Sequence, residues 1–456
     1  MATGNRLFVR LSLALLLLGG FSFSAGAAQA QLTVQQLIGT AVPEGADHPK
    51  YDDIRAALAR FATGEPDAAH ELFKAARTKN ADLPPAGVML AQSYVATHNY
   101  PAARFALEKA VGEQANDPEP YIAFGELALR ENRITDADLL FQKGKELLGK
   151  YTANPARVKP LKGRAVVGLS AVATFREDWP EAEKLLREWL EFDPRNQAVH
   201  DRLGAALFYQ EKEREAYELF QKRHDLLPTS TRPELSMAVL YEKMVEKGRP
   251  EMRAKAKQLV DLALQRDGDN YRTQLGAADL SLEAGDLELA QKCIEAAMKA
   301  APDALEGQLL AGRVARFRKD LDAAEAVLTR AVAQAPGNFD ASNQLALVLI
   351  EQPNEAKRKL ALGYAELNAR AYGSELGEPR GREAVVTLAW VHYQLGRDAE
   401  ALRLVQGVVP AGGLSPDAAY HAARILHGGK QPELAQKLLR TSLGVPRPYA
   451  TRPDAE

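Results

Sequence analysis

The chain has 456 residues, more than the roughly 250–300 at which a single core stops growing, so it must divide into domains or extend in one dimension. Its formal net charge is −2, and no clustered basic stripe marks a polyanion-binding surface, so we expect no nucleic-acid partner. A single cysteine, Cys293, excludes an intrachain disulfide framework. Cys293 lies on an apolar helical face, which predicts a packed hydrophobic side chain.

Residues 1–30 have the pattern of a secretory signal peptide. Arg6 and Arg10 precede an apolar run at 11–20, and Ala28-Gln29-Ala30 forms a small-x-small cleavage site. We therefore expect cleavage after Ala30 and a periplasmic or secreted protein without a stable membrane anchor. The alternative is an uncleaved anchor, which is disfavoured because the apolar run is shorter than the ~20 residues that a span needs.

From residue 50 to residue 443, helix-length apolar patterns alternate with short breaks at Gly, Asn, Asp or Pro. The stretch "LELAQKCIEAAMKAAPDA" from Leu287 and the stretch "LDAAEAVLTRAVAQAPGN" from Leu321 share columns of Leu, Ala, an apolar residue, Ala and Pro. Such a fixed period predicts stacked helical repeats. About eleven units begin near Tyr51, Pro85, Pro118, Gly163, Gln197, Arg232, Tyr271, Leu305, Phe339, Arg382 and Pro416.

The shared columns have physical roles in a helical stack. Small residues allow two helices to approach closely. Apolar residues one turn later fill the space between units, and prolines end the second helices. The small column comprises Ala137, Ala182, Ala216, Ala290 and Ala324; the filling column comprises Phe141, Leu186, Phe220, Ile294 and Leu328; the prolines are Pro194, Pro228, Pro302 and Pro336. Gly285 and Gly396 stand where a left-handed helix end is needed.

These units resemble tetratricopeptide repeats, whose pattern includes Leu-Gly, an Ala with Phe four residues later, and a closing Pro. Leu203-Gly204, Ala216, Phe220 and Pro228 match it within "HDRLGAALFYQEKEREAYELFQKRHDLLP". The resemblance implies an all-α fold, a right-handed superhelical solenoid of about eleven helix-turn-helix repeats whose first helices line the concave face. Gly and Pro interruptions argue against a long coiled coil, and strand-length β-branched runs are nearly absent.

The predicted organisation has six parts along the chain. A linker follows the signal peptide, and a loop divides the repeats into two segments. The closing residues are rich in Pro and polar side chains, which predicts a disordered tail. The parts are the signal peptide at 1–30, the linker at 31–49, the first solenoid segment at 50–371, the loop at 372–381, the C-terminal solenoid segment at 382–444 and the tail at 445–456.

The sequence lacks the signatures of an enzyme. It has no phosphate-binding or dinucleotide-binding glycine pattern and no His-x-x-x-His pair for a metal. The many carboxylates are expected to form solvated Glu–Lys and Glu–Arg pairs on helix faces. We therefore expect no catalytic residues, no cofactor and no metal. An atypical hydrolase or transferase site inside the solenoid is the remaining enzymatic alternative.

The resemblance implies that the protein is a non-catalytic scaffold that binds protein or peptide partners on the concave face of the first helices. An alternative is a component of a bacterial machine that assembles or secretes envelope polysaccharide or outer-membrane proteins. Arg and aromatic residues are common at the centres of protein interfaces. On the first helices the candidates for partner binding are Phe208, Tyr209, Arg313, Arg316, Trp390, Tyr393, Tyr420 and Arg424.

Overall fold

The computed structural model describes residues 33–38 and 47–456, and within these ranges every regular element is helical. The all-α prediction is therefore confirmed. The predicted signal peptide with its cleavage site, and most of the predicted linker, lie outside the described residues. Among the residues described, no helix combines the length and the apolarity that crossing a membrane requires.

Between Asp52 and Leu443, twenty-two helices follow one another in consecutive pairs, which agrees with the predicted eleven repeats. Odd-numbered helices are the first members of the pairs and even-numbered helices the second. They are α1 (Asp52–Ala62), α2 (Pro66–Lys79), α3 (Ala86–Ala96), α4 (Tyr100–Glu113), α5 (Pro118–Arg130), α6 (Ile134–Leu148), α7 (Pro155–Phe175), α8 (Trp179–Phe192), α9 (Gln197–Tyr209), α10 (Glu213–Leu226), α11 (Pro233–Glu246), α12 (Met252–Asp267), α13 (Tyr271–Ala284), α14 (Leu287–Ala300), α15 (Leu305–Phe317), α16 (Leu321–Gln334), α17 (Phe339–Ile350), α18 (Glu355–Tyr372), α19 (Pro379–Gln394), α20 (Asp398–Val408), α21 (Pro416–Gly428) and α22 (Pro432–Leu443). Short helices at Val34–Ile38 and Arg452–Ala455 flank the series.

The chain forms two compact units that divide after Ala216, within α10. The first unit contains α1 to α9, and the second contains α11 to α22. The predicted break at 372–381 is not the division between them. Ala361 and Ala365 of α18 belong to the same hydrophobic cluster as Val385 and Val386 of α19, because the short loop lets the apolar faces of these helices pack together.

The turn within most pairs contains one residue in the left-handed backbone region. Gly285 (φ 85°) and Gly396 (φ 73°) hold this position, as the sequence predicts, and glycine adopts it without a steric penalty. Non-glycine residues hold the equivalent position in other turns, among them His98, Asn132, Glu177, Glu211, Lys319 and Lys430. The turn geometry is therefore repeated even where the residue type is not.

The columns of small and apolar residues pack as predicted. The five alanines of the small column are all fully buried, and so are the five residues that fill the space one turn later. Phe141 of α6 shows why small residues are needed. A β-carbon added at Gly168 of α7 would lie 2.2 Å from its ring, and one added at Gly125 of α5 would lie 3.0 Å away. Phe141 thus fills the space between α5 and α7 that the two glycines leave open.

Helix α7 begins at Pro155, eight residues before the unit start predicted at Gly163. The added turns carry Arg157, which is buried and forms an ion pair with the buried Glu119 of α5. Arg157 also donates a hydrogen bond to the Tyr151 hydroxyl at 3.0 Å. These contacts hold the chain helical through Pro160, which cannot donate a backbone hydrogen bond.

Cys293 is a buried thiol on α14, as the sequence predicts. Burial is the main cause that raises the pKa of this thiol to about 11. The thiolate needed for nucleophilic chemistry is therefore scarce at neutral pH, and Cys293 acts as a small apolar side chain.

The segment 445–456 does not have the disorder that the sequence predicts. Tyr449, Ala450, Thr451 and Ala455 are buried, and the N–H groups of Arg452 and Ala455 donate to backbone carbonyls within the segment. The polar composition suggested disorder, but the segment is held by residues of distant helices. Local sequence does not reveal such partners.

Candidate peptide-binding face

Six of the eight predicted binding residues lie on three first helices of the second unit. Arg313 and Arg316 lie on α15, Trp390 and Tyr393 on α19, and Tyr420 and Arg424 on α21. Arg316 of α15 reaches Asp417 of α21, and Trp390 of α19 packs against Tyr420 of α21. The fold therefore brings these helices together, although the residues differ widely in exposure.

Arg316, a candidate for partner binding, does not project into solvent. Its side chain is buried, with Nη1 lying 3.5 Å from Asp417 Oδ2 and Nη2 3.7 Å from Glu351 Oε1. The N-terminal turn of α21 comes within reach of the last turn of α15, which the sequence separation of the two residues conceals. The Arg316 side chain therefore bridges first helices in the interior of the unit. A partner could contact only the small exposed part of this side chain.

Substituting Arg316 should destabilise the second unit more than substituting Arg313. Arg316→Gln would leave Asp417 and Glu351 without their shared cation, at a cost of about 1–3 kcal/mol in the free energy of unfolding. Arg313 pairs with Asp279 at 3.0 Å but is 40% exposed, so Arg313→Gln should cost less than about 1 kcal/mol. Urea denaturation followed by circular dichroism measures both. Equal losses would show that Arg316 is not a buried bridge.

Trp390 and Tyr420 form an aromatic cluster instead of lining the surface of a groove. Both are buried, and the Trp390 ring stacks on His421 with centroids 4.3 Å apart and on the partly buried Tyr393 at 5.6 Å. His421 was not among the candidates, although it lies at the centre of this cluster. Its neighbours come from another helix, so spacing along α21 could not reveal them.

His421 should make the stability of the second unit sensitive to acid. Burial is the main cause that lowers its pKa to about 3; Arg316 and Lys319 lower it further, and Asp417 opposes them. The unfolded imidazole takes up a proton near pH 6.5, whereas the folded one does not until about pH 3, so stability falls as the pH falls between these values.

As the pH falls from about 6 to about 4, protonation of His421 in the unfolded state should lower the free energy of unfolding by about 1.4 kcal/mol per pH unit. Replacing His421 with Gln should abolish this decrease. The measurement is the free energy of unfolding from urea titrations across that range. His427→Gln is the matched control, since His427 lies exposed on the same helix. If the slopes of the His421 variant and of the unchanged chain coincide, His421 is protonated in the folded state.

Arg313 is partly exposed and Arg424 is exposed. Arg424 donates a hydrogen bond to the Tyr420 hydroxyl at 2.9 Å and lies over the Tyr420 ring. Arg313 lies one helical turn before Arg316 on α15. A partner on this face can contact these two positive groups without unpacking the core.

The remaining two candidates lie at the end of α9 in the first unit. Phe208 is buried, and its ring meets that of Tyr209 edge to face at 5.6 Å. Tyr209 is partly buried and stacks on Trp179 of α8 with centroids 4.6 Å apart. Both aromatic rings therefore serve packing, and the buried Phe208 offers little surface to a partner.

The second unit carries its own segment 445–456 on this face, a feature that sequence reasoning missed. The Thr451 N–H and hydroxyl both donate to Asp417 Oδ1, at 3.0 and 2.7 Å. Tyr449 joins a hydrophobic cluster with Tyr420 and Phe317. The segment has partners on the first helices α11 and α13, at Phe317 of α15, at Lys319 in the turn after α15, and in the N-terminal turn of α21.

Carboxylates dominate the electrostatics around this segment. Burial, assisted by Asp279, raises the pKa of Glu283, and burial likewise raises that of Glu383. Burial opposes ionisation of Asp417 too, but Arg316 and the hydrogen bonds from Thr451 outweigh it and lower the pKa of Asp417. On this face, Asp417 is therefore an ionised hydrogen-bond acceptor. The other two carboxylates would be stabilised in their ionised form by a nearby cation. Within the described residues, no group of three or more His, Cys, Asp or Glu side chains has the geometry to hold a metal ion.

Fold and face together define a helical-repeat protein whose first helices gather arginine, aromatic and acidic side chains. Two segments, residues 60–126 and 275–339, match family models described as tetratricopeptide repeat. Each unit therefore contains one segment that matches a model of this repeat family, and the two segments together cover less than half of the chain. A search of curated protein sequences finds no match.

Solved structures with similar architecture have low sequence identity to this chain. Yeast Tom70 is 14% identical, with 90% of this chain and 95% of that chain covered and a TM-score of 0.39. A tetratricopeptide repeat protein from Parabacteroides merdae is 14% identical, covering 62% and 93%, with a TM-score of 0.36. YrrB, described as having an unusual peptide-binding site, is 21% identical, covering 41% and 92%, with a TM-score of 0.28. At such TM-scores these likenesses support no statement about what this chain binds.

Proposed function

We propose that this protein is a non-catalytic interaction scaffold, exported from a bacterial cell to the periplasm or beyond, that binds protein or peptide partners on its first helices. Tetratricopeptide repeats generally mediate protein–protein interactions. The observation that carries the proposal is the segment 445–456, which includes the short helix Arg452–Ala455 and is bound on the first-helix face of the second unit through side-chain and main-chain groups. Preformed, stacked helices reduce the ordering cost of such binding.

Export rests on the basic, apolar and small-residue pattern of residues 1–30. Expression of the full chain in a bacterial host, followed by fractionation and intact-mass measurement, tests this part. The expected product is found outside the cytoplasm and begins at Gln31. A full-length product in the cytoplasm or membrane fraction would contradict it.

Partner binding is tested by immobilising the chain from residue 31 onward and quantifying the proteins retained from envelope extract by mass spectrometry. Arg313→Glu combined with Arg424→Glu reverses the accessible positive charge of the first-helix face and should reduce retention of the specific partners. Lys359→Glu is the control, because Lys359 is 75% exposed on the second helix α18. Equal retention by the two variants, or no specific retention by the unchanged chain, would contradict the proposal.

A further inference from the structure

The segment 445–456 makes a series of distinct contacts across the second unit. The first involves Arg447, whose Nη1 lies 3.6 Å from Glu246 Oε1 at the end of α11 and 3.7 Å from Glu283 Oε1 near the end of α13. Pro448 follows beside Gly285, where an added β-carbon would lie 3.8 Å from Pro448 Cγ. Two carboxylates from successive repeats thus converge on one guanidinium group.

The second contact is an aromatic pocket for Tyr449. Its buried ring packs in a cluster with Tyr420 and Ala455, against which Phe317, Leu439 and Leu443 also pack. The Tyr449 hydroxyl shares a hydrogen bond of 2.6 Å with Ser442 of α22. The pocket therefore accepts an aromatic ring and satisfies one polar group at its edge.

The third contact involves the backbone N–H and the hydroxyl of Thr451. Both donate to the same carboxylate oxygen of Asp417, which Arg316 holds in place from the opposite side. Beyond it, Asp454 lies 3.3 Å from Nζ of Lys319, which lies in the turn after α15. The pattern from Arg447 to Thr451, Arg-Pro-Tyr-Ala-Thr, therefore meets an acidic pair, an aromatic pocket and a carboxylate in that order.

The strength of these contacts is uneven. The ion pairs of Arg447 and Asp454 are partly exposed, and exposed pairs contribute about 0–1 kcal/mol each. Tyr449, Ala450, Thr451 and Ala455 are buried, but two of these four are alanines with little side chain to hold. A segment held by four buried residues, two of them alanines, and a few partly exposed ion pairs is displaceable by a ligand that makes the same contacts.

We propose that the segment 445–456 is an intramolecular ligand that covers a peptide-binding site on the first helices of the second unit, and that partners bind there through a segment of the same chemistry. Such a partner segment has an arginine, an aromatic residue two positions after the arginine, and a Thr or Ser two positions after the aromatic residue. The inference rests on the proposed scaffold function and names the class of peptide that the scaffold takes.

Competition within one chain sets the size of the expected effect. A short tether gives the bound segment an effective concentration on the order of 1 mM. A free peptide with a Kd of about 100 µM for the open site should therefore bind about tenfold more weakly when the chain's own segment is present. Removing the segment, or weakening its contacts, should restore the tenfold higher affinity for the free peptide.

The test uses a fluorescein-labelled synthetic peptide with the sequence of residues 445–456 and measures its Kd by fluorescence anisotropy. The chain ending at Gly444 should bind it at least tenfold more tightly than the complete chain. Within the shortened chain, Asp417→Asn and Glu283→Gln should each weaken binding severalfold, whereas Asp322→Asn, on the second helix α16, should not. A peptide carrying Tyr449→Ala should bind at least tenfold more weakly.

A second variant guards against misfolding of the shortened chain. The complete chain with Arg447→Ala and Tyr449→Ser should also bind the labelled peptide more tightly than the unchanged chain. Equal affinity of all chains for the peptide, or no binding by either opened form while circular dichroism shows full helicity, would overturn the inference. A dimer of the complete chain that disappears on removal of 445–456 would overturn it too, since the segment would then act between copies.

The two proposals fail separately. If the opened forms bind no peptide but envelope proteins are still retained through Arg313 and Arg424, the scaffold function stands and the covered site does not. If the peptide binds the opened forms but no protein is retained from any extract, the site exists and the scaffold function lacks support.

Discussion

Replacing Phe141 with Ala should lower the free energy of unfolding of the first unit by about 3–5 kcal/mol. Phe141 is fully buried, and its ring occupies the space between Gly125 and Gly168 on the helices before and after it. Neither glycine has a side chain that could close the cavity. Because each repeat depends on its neighbours for burial of its apolar face, the loss is also felt by the adjoining pair.

The matched control is Phe105→Ala, because Phe105 is the same residue type at 70% exposure on α4. It should change the free energy of unfolding by less than about 0.5 kcal/mol. Urea unfolding followed by circular dichroism and by tryptophan fluorescence measures both variants. Similar losses for the two phenylalanines would mean that Phe141 does not wedge the repeats together.

Replacing Glu119 with Ala should cost a similar amount, about 3–5 kcal/mol, for an electrostatic reason. Glu119 is buried and pairs with the buried Arg157, and it also accepts a hydrogen bond from Arg164 at 2.9 Å. Burial by itself lowers the pKa of Arg157, but Glu119 and Asp117 outweigh it and raise that pKa. Without Glu119 a desolvated guanidinium would keep only the more distant Asp117 and the Tyr151 hydroxyl.

Two further variants separate a lost ion pair from a general loss of charge. Glu181→Ala removes an exposed partner of Lys184 on α8 and should cost less than about 1 kcal/mol. Glu119→Leu combined with Arg157→Met removes both buried charges and should recover much of the loss, because packed apolar residues replace a buried pair at little cost. A combined variant as unstable as Glu119→Ala would point to packing instead of charge.

The number of repeats and the packing columns could be predicted from the sequence because they depend on residues close together in the chain. Helical spacing and the recurrent small residues at Ala137 and Ala324 define each pair locally. The early start of α7 was missed because Pro160 reads as a helix breaker, whereas the contact that maintains the helix joins Arg157 to Glu119 of another helix.

The candidate site was predicted less well for the same reason. Spacing placed Arg316, Trp390 and Tyr420 on first helices correctly, but it could not show that α15, α19 and α21 bury one another's side chains. Exposure depends on contacts between repeats three positions apart. The segment 445–456 was assigned to disorder because its partners, Glu246 and Asp417, are distant in sequence.

Hydrogen–deuterium exchange of the complete chain most directly tests whether the first-helix face of the second unit is a recognition surface occupied by residues 445–456. The free synthetic peptide of the same sequence supplies the unprotected reference rate. In the chain, amides from Thr451 to Glu456 should exchange at least tenfold more slowly than in the free peptide, since each of the N–H groups of Thr451, Arg452, Asp454, Ala455 and Glu456 donates a hydrogen bond. Exchange at the rate of the free peptide would show that the face is open and would contradict the account.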